Sequence, residues 1–289
     1  MTTETTSVPA LRAPGAGLGL LDVFRRRHLL ALLVRKEVQI RYRGSILGWL
    51  WSYVKPLTQF AVFFVALGIV LRQGETIGYY ALYLLSGMMI VTFFTEAFQN
   101  GTRSIIDNSA LIKKIFIPRE LFPVASTLVA VVNTLPQVVV VFVIALISGW
   151  QFSLGAVAAI LLSLLIITVF ATGLGMLFGA VNVAFRDAQS FVEIIGMCAV
   201  WASPVLYQWH LVADRVGEGA LFTLYSINPI TAAVELSHAG FWMPLHPKNG
   251  LVLPNLVPAS LAGLAIAFAT LLLGQFVFRR LEGRFAQDL

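Results

Sequence analysis

The sequence has few charged residues and a single cysteine. Only 12% of its 289 residues are charged, whereas 58% are hydrophobic, which is too little charge and too much apolar surface for a soluble domain of this size. Cys198 is the only cysteine and lies inside an apolar run, so no disulfide can form within the chain. The composition therefore indicates a polytopic membrane protein.

Motifs of catalytic chemistry are also lacking. The sequence contains no GxxxxGK[ST] phosphate-binding loop and no serine nucleophile motif. His210, His238, His246 and Asp214 share one segment, but their spacing matches no metal-binding pattern such as HExxH. We therefore predict that the chain has no catalytic residues and binds no metal or cofactor. A membrane-embedded glycan-modifying enzyme is the remote alternative.

Long apolar runs recur through most of the chain after residue 45. A bilayer core about 30 Å thick requires roughly 20 apolar residues per helix, and the alternating pattern typical of a transmembrane barrel is absent. We predict an all-α polytopic membrane protein with six transmembrane helices, at residues 46–71, 79–98, 124–147, 154–181, 191–207 and 254–278.

Basic residues are distributed unevenly between the connections. With the amino terminus inside, seventeen of the 20 lysines and arginines fall on the inner side, and only Arg72, Arg215 and Lys248 fall outside. This asymmetry predicts cytoplasmic tails at 1–22 and 279–289. The first tail lacks signal-peptide features and is predicted to be disordered. The same asymmetry explains the basic pI without any binding of nucleic acid.

Residues 23–45 carry apolar and basic side chains with the period of a helix. Leu29 and Leu33 share one face, and Arg35 and Lys36 lie on the opposite face. We predict an interfacial amphipathic helix on the inner membrane surface. A generic basic anchor before the first span is the alternative.

The outer segment at 208–250 contains LFTLYSINPITAAVELSHAGFW, an apolar stretch interrupted by Asn228 and Pro229. Because it is too short and too interrupted to span the bilayer, we predict two short helices that re-enter the membrane from outside. An ordinary folded loop is the alternative.

Two acidic residues lie near the inner ends of predicted spans. Charged groups at this depth are costly and are commonly paired. We expect Glu96 and Glu193 to pair with basic residues of the inner region, for example Arg103 or Arg186, or to line a pathway for a polar substrate.

Several motifs resemble the membrane subunit of bacterial ABC-2 type exporters of polysaccharides and polyol phosphates. RYRGSILGWLWSYVKP at 41–56 is similar to its opening motif, and NSALIKKIFIPRELFPV at 108–124 is similar to its cytoplasmic coupling segment. NVAFRDAQSFVEI at 182–194 resembles the link between its fourth and fifth helices, while SPVLY at 203–207 and INP at 227–229 resemble its last outer region. The motifs occur in family order and cover most of the chain from about residue 25.

The resemblance implies an ATP-driven exporter in the bacterial inner (plasma) membrane. Residues 46–278 are then the ABC-2 transmembrane domain of a homodimer, working with two copies of a separate nucleotide-binding subunit that holds ATP and Mg. The expected substrate is a lipid-linked polysaccharide, such as an undecaprenyl- or decaprenyl-linked galactan or O-antigen, in contact with membrane lipids. Teichoic acid, capsule or a lipid is the alternative substrate.

The resemblance also implies three sets of functional residues. The substrate entrance and its gate are expected at Arg41, Tyr42, Arg43, Trp49 and Trp51. Within the coupling segment 104–120, the residues expected to contact the ATPase are Leu111, Ile112, Lys113, Lys114, Phe116 and Arg119. The channel aromatics are expected at Tyr80, Trp201, Tyr207 and Tyr225. An interfacial turn held by anionic lipid is the alternative for the second set, and an interfacial aromatic belt for the third.

The coupling hypothesis predicts the effect of one substitution. Phe116→Asp places a charge on the face expected to dock into the ATPase, so it should abolish ATPase co-purification while membrane insertion stays normal. Pull-down from solubilised membranes measures this. Unchanged co-purification would favour the lipid-held turn.

Overall fold

The computed structural model describes residues 19–42, 50–114, 117–217, 219–245 and 253–285. In these ranges all of the regular structure is helical, and five helices are long and apolar enough to cross a membrane. The prediction of an all-α polytopic membrane protein is confirmed.

The amino-terminal part consists of two helices that meet at Arg26, α1 (Leu20–Arg25) and α2 (Arg27–Tyr42). On α2, Leu33 is buried while Arg35 and Lys36 are exposed, as the amphipathic pattern predicts. The predicted interfacial helix at 23–45 thus corresponds to the end of α1 and the whole of α2.

The first long helix is α3 (Trp51–Phe63), which continues as a π-helix over Phe64–Val70 and is followed by the short α4 (Gln73–Thr76). The remaining helices follow in chain order. They are α5 (Tyr80–Asp107), α6 (Ser109–Ile112), α7 (Leu121–Ile147), α8 (Leu154–Ala184), α9 (Ala188–Trp201), α10 (His210–Val216), α11 (Ala220–Ile227), α12 (Pro229–Phe241) and α13 (Leu256–Glu282).

The predicted span at 191–207 gives a shorter helix than the others. Helix α9 has 14 residues and ends at Trp201. Pro204 follows closely, and a proline disfavours helical geometry at the residue before it. The Tyr83 hydroxyl is within hydrogen-bond distance of the carbonyl oxygens of Pro204, at 2.7 Å, and Tyr207, at 2.8 Å, which fastens the turn to α5. A count of six spans therefore stays a prediction.

Helix α5 forms the centre of the protein. In its most apolar stretch 72% of the residues are buried, against 28% for α7 and α8 and 6% for the stretch of α3 and its π-helix. Phenylalanines fill the contact with α8: Phe94 stacks on Phe170 at 5.7 Å between ring centres, and Phe98 meets Phe178 edge to face at 5.3 Å. The other long helices are arranged around this pair.

Helices α5 and α8 cross where glycines face each other. A β-carbon added to Gly175 would lie 3.2 Å from the α-carbon of Gly101, and one added to Gly179 would lie 3.1 Å from the Gly101 oxygen. Glycines four residues apart permit such close approach. The Gly175 and Gly179 pair is thus a packing motif inside the chain.

The short helices near the carboxyl-terminal half differ in burial. Helix α12 is buried along nearly its whole length between α5, α8 and α13. Two hydroxyls secure it: Ser163 donates to the Ala233 oxygen at 2.6 Å, and Ser237 donates to the Ser86 oxygen at 3.0 Å. Helices α10 and α11 lie at the periphery of this region and are more exposed.

A second cluster, here called the inner cluster, joins the chain ends to the segment before α7. Its members are apolar side chains from α1, α2, α5, the start of α7, α8, the end of α13 and the residues just after it: Val23, Leu33, Ile105, Phe122, Met176, Phe278 and Phe285. The segment predicted to couple to an ATPase therefore lies against α2 and the carboxyl-terminal end.

The glycine crossing predicts opposite effects for one substitution at two sites of α8. Gly175→Ala places a methyl group against α5 and should lower stability by about 1 to 3 kcal/mol. Gly155→Ala has ordinary van der Waals space and should be neutral or stabilising by about 0.5 to 1 kcal/mol, because alanine favours a helix. Thermal unfolding in detergent compares them, and equal effects would contradict the close crossing.

Candidate functional site

A groove of about 1100 Å³ lies between α3, α5 and α9 and extends to the end of α2. Its α5 wall is polar although α5 is one of the long apolar helices. The polar side chains are half-buried and recur every three to four residues, so they form one stripe along the helix; they are Thr92, Thr95, Glu96, Gln99 and Asn100. Because polar groups are costly against lipid, this stripe suits a hydrated or polar occupant.

The other walls of the groove are formed by α3 and α9, and α9 approaches α5 closely at Gly196, where an added β-carbon would lie 2.8 Å from Cγ2 of Thr95. Helix α3 contributes Lys55 and Gln59, and α9 contributes Gly196 and Trp201. Trp201 is 62% exposed, and little of the apolar stretch that begins in α3 is buried. The groove thus has one wall on α5, which is mostly buried, and two walls on α3 and α9, which are largely exposed.

A polar network closes the end of the groove next to α2. The Arg41 guanidinium is paired with Glu96, and the Asn133 amide donates to the same oxygen, Oε1 of Glu96, at 2.6 Å. The Tyr53 hydroxyl donates to the Asn133 carbonyl oxygen at 2.9 Å. Four helices, α2, α3, α5 and α7, therefore meet at Glu96 and Asn133.

A second ion pair connects α5 to α9. Arg103 donates to Oε1 of Glu193 at 2.7 Å, and Gln189 donates to the same oxygen at 3.1 Å. Arg103 is thus the partner of Glu193, as expected, whereas Glu96 pairs with Arg41 of α2. Each acidic residue near the inner ends of the spans has a basic partner.

Among the predicted entrance residues, Arg41 lines the groove. Arg43 and Trp49, together with the side chains of Tyr42 and Trp51, lie outside the described residues. Their roles stay predictions.

The predicted coupling residues do not share one environment. Leu111 and Ile112 pack against the inner cluster, while Lys113 and Lys114 are exposed. Arg119 donates to the carbonyl oxygen of Glu282 and lies 5.6 Å from the centre of the Phe285 ring. Its guanidinium therefore secures the carboxyl-terminal end. Phe116 lies outside the described residues.

The four predicted channel aromatics do not line one surface, although Tyr207 lies beside Tyr225 as well as Trp201. Trp201 lines the groove, and the Tyr207 hydroxyl donates to its carbonyl oxygen at 2.7 Å. Tyr80 is only 3% exposed and packs between Phe64 and Tyr83 in the core. Tyr225 stacks on Phe222 in the peripheral cluster next to α13. Of these side chains, Trp201 is the one that borders the groove.

Sequence reasoning missed the polar stripe and Asn133. The stripe carries a readable signal, because Thr92, Thr95 and Gln99 follow helical spacing inside an apolar run. Asn133 carries no such signal, since a lone asparagine in a span does not reveal its partners. Its 1% exposure and its bond to Glu96 are properties of the folded chain.

The histidines and acidic residues form no metal centre in the described ranges, where no group of three or more such residues could hold a metal ion. His238 is instead a core residue. Its ring stacks on Tyr83 at 3.9 Å between ring centres, and its Nε2 lies 3.1 Å from the Tyr83 oxygen.

Glu37 attaches α2 to the body of the protein. Asn108 donates to this half-buried carboxyl at 3.5 Å and Ser126 at 3.4 Å. Burial, the largest influence, raises the pKa of Glu37 above its ordinary value of 4.5, although these bonds and the nearby Lys36 and Arg41 oppose the shift. Docking of α2 therefore includes the partial burial of a charge.

The fold and the groove together define a polytopic α-helical membrane protein with a polar path along its central helix. Residues 28–242 match the family described as ABC-2 type transporter. The chain belongs to this family, which confirms the resemblance seen in its motifs. The matched region runs from α2 to the end of α12 and so contains the whole groove.

Three relatives are similar to the chain over most of their length. The O-antigen export system permease protein RfbA of Klebsiella pneumoniae is 26% identical over 261 residues, covering 90% of this chain and 95% of the relative. The protein of the same description from Myxococcus xanthus is 27% identical, covering 76% and 83%. The polysialic acid transport protein KpsM of Escherichia coli is 23% identical, covering 82% and 90%.

The raised pKa of Glu37 predicts a pH-dependent difference between wild type and Glu37→Gln. The stability contributed by Glu37 is fully present below its unfolded pKa, near 4.5, and is lost as pH rises through the folded pKa. Relative to the variant, wild type should therefore lose stability as pH rises from below 4.5 through the higher folded pKa of Glu37. Melting temperatures across this range measure it.

Glu75→Gln is the matched control, since Glu75 is an exposed carboxyl paired with Arg72. If wild type gained stability relative to Glu37→Gln as the pH rises, this result would contradict a raised pKa of Glu37.

Proposed function

We propose that this chain is the membrane permease subunit of an ATP-driven exporter that moves a lipid-linked polysaccharide from the cytoplasm to the outer face of the bacterial inner membrane. The observation that carries the proposal is the polar stripe of α5, a helix long and apolar enough to cross a membrane, which lines the groove. The family match and the polysaccharide-export descriptions of the relatives support it.

The groove has the chemistry that a sugar chain requires. Hydroxyl and amide side chains, such as those of Thr95, Gln99 and Asn100, donate and accept hydrogen bonds and can exchange them with sugar hydroxyls along the chain. Trp201 adds an exposed aromatic face on which the apolar side of a sugar ring can stack. Because no donor or acceptor is held in a closed pocket, the polymer can be held without being trapped.

The energy source lies on another polypeptide. With no phosphate-binding loop in its sequence, this chain requires a separate ATPase subunit that binds ATP and Mg. We place its docking site at residues 104–120, where Lys113 and Lys114 are exposed beside α6. Movement there reaches α2 through the inner cluster, which contains both Ile105 and Leu33.

A second copy of the chain completes the path. The groove is open on one side, and α3 and α9 expose apolar side chains beside it: Leu57, Met197 and Trp201 are all more than half exposed, and Met197 and Trp201 line the groove. A homodimer that brings these faces together encloses one path between two grooves. Two ATPase subunits then serve two permease subunits.

The orientation follows from the charges. The groove end that holds Arg41 and Lys55 faces the cytoplasm, where the lipid phosphate enters, and both termini lie inside. The helices between residues 208 and 250 then lie at the outer face, where α12 re-enters the membrane, and residues 46–278 form the transmembrane domain. The residues near α2 form the entrance gate.

The substrate is an undecaprenyl- or decaprenyl-linked cell-wall glycan such as galactan, or an O-antigen, with teichoic acid, capsule or a lipid as the alternative. Depleting the protein and identifying the lipid-linked glycan that accumulates inside the cell decides among these polymers. Accumulation of an unmodified or untrimmed glycan on the outer face would instead support the remote alternative of a glycan-modifying enzyme.

The polar stripe predicts the outcome of a triple substitution. Replacing Thr92, Thr95 and Gln99 by leucine keeps the helix but removes the hydrogen-bonding groups, so export should fall by roughly tenfold or more, as several bonds of about 1 kcal/mol each are lost. Export is measured as glycan reaching the cell surface. Thr58→Leu is the control, because Thr58 is exposed on α3 and does not line the groove.

Normal export by a stably inserted triple variant would overturn the assignment of the groove. Loss of export in Thr58→Leu as well would show that the effect is not specific to the stripe.

A further inference from the structure

The inner end of the groove is held by polar contacts between helices that otherwise pack loosely. Tyr53 is one of the few residues of α3 that bond to the body of the protein, through the Asn133 oxygen. The end of α2 is attached through Arg41 to Glu96. At this end of the groove, α2 and α3 are therefore held to α5 and α7 by hydrogen bonds around Glu96 and Asn133.

Glu96 is shared by a partly exposed partner and a buried one. Arg41 belongs to α2 and keeps 33% of its side chain exposed to the groove, whereas Asn133 is 1% exposed within α7. Both bind the same carboxylate oxygen. If Arg41 leaves, Glu96 retains the Asn133 amide as a hydrogen-bond donor, which lowers the cost of breaking the ion pair.

We propose that Glu96 is a latch for Arg41, and that the diphosphate of the entering lipid-linked substrate opens it by taking Arg41 away from the carboxylate. The inference rests on the proposed function and specifies how that substrate is recognised. Once Arg41 is bound to the diphosphate, the ion pair between the end of α2 and α5 is broken, and the groove opens at its inner end.

The exchange is favoured by the chemistry of the two anions. A diphosphate offers more charge and more acceptor oxygens than one carboxylate, and a guanidinium binds two phosphate oxygens at once. Lys55 lines the same groove and adds a second cation. Glu193 also lines the groove, but its partner Arg103 does not, so Arg103 is not expected to take part in the exchange.

Cys198 provides a reporter of the opening. It lines the groove and is the only cysteine in the chain, so the native sequence can be labelled without further substitutions. In the proposed homodimer the groove is enclosed between the two copies, so a reagent reaches Cys198 through the end of the groove. The full-length chain, with its co-purifying subunits, is placed in nanodiscs of phosphatidylethanolamine and phosphatidylglycerol. The rate at which a charged thiol reagent modifies Cys198 is followed by the mass of this chain.

Glu96→Gln should label roughly tenfold faster than wild type without any substrate, the factor expected when one charge-assisted bond is lost. Arg41→Gln breaks the same pair from the other side and should behave alike, which guards against a folding defect in one variant. Glu75→Gln removes a carboxylate from the exposed pair with Arg72 and should label like wild type.

Undecaprenyl diphosphate should accelerate labelling of wild type but of neither Glu96→Gln nor Arg41→Gln, and inorganic pyrophosphate at the same concentration should have little effect. Equal labelling of wild type and both folded variants would overturn the latch, whatever the substrate is. The exchange would be overturned if both variants label faster than wild type but undecaprenyl diphosphate does not change the labelling rate of wild type. It would also be overturned if pyrophosphate accelerates labelling of wild type as much as undecaprenyl diphosphate does. Neither result bears on export, which the surface-glycan assay tests separately.

Discussion

The close crossing of α5 and α8 is the contact on which the rest of the structure depends. Facing glycines, Gly101 on α5 and Gly175 and Gly179 on α8, bring the two backbones together, and phenylalanines extend the contact along both helices. Burial of α5 on this side leaves its polar stripe facing the groove between α3 and α9. The same packing that stabilises the chain therefore also creates the groove.

The two helices beside the groove differ from this rigid centre. Few residues of the stretch beginning in α3 are buried, and α9 is short and exposed over most of its surface. Their inner ends are attached to α5 and α7 through Glu96, Asn133 and Glu193. A transporter has to change shape, and here the contacts that can break are polar and lie at one end, while the apolar contacts of α5 persist.

Most span positions could be predicted because apolar runs of about 20 residues leave few choices, as in α8, predicted at 154–181 and observed at Leu154–Ala184. The prediction for α5 stopped at residue 98, since Gln99 and Asn100 look like the end of a span. The helix continues to Asp107, and those polar residues belong to the groove. The partner of Arg41 lies 55 residues away, a contact that local patterns do not contain.

The central claim is that the sugar chain passes along the α5 stripe. The most direct measurement places a photo-reactive amino acid at Thr95 and, in a second protein, at the exposed Thr58 of α3, then irradiates cells while export is under way. The account predicts glycan cross-linked to the protein at position 95 and not at position 58. Equal cross-linking at the two positions, or glycan at position 58 alone, would contradict it.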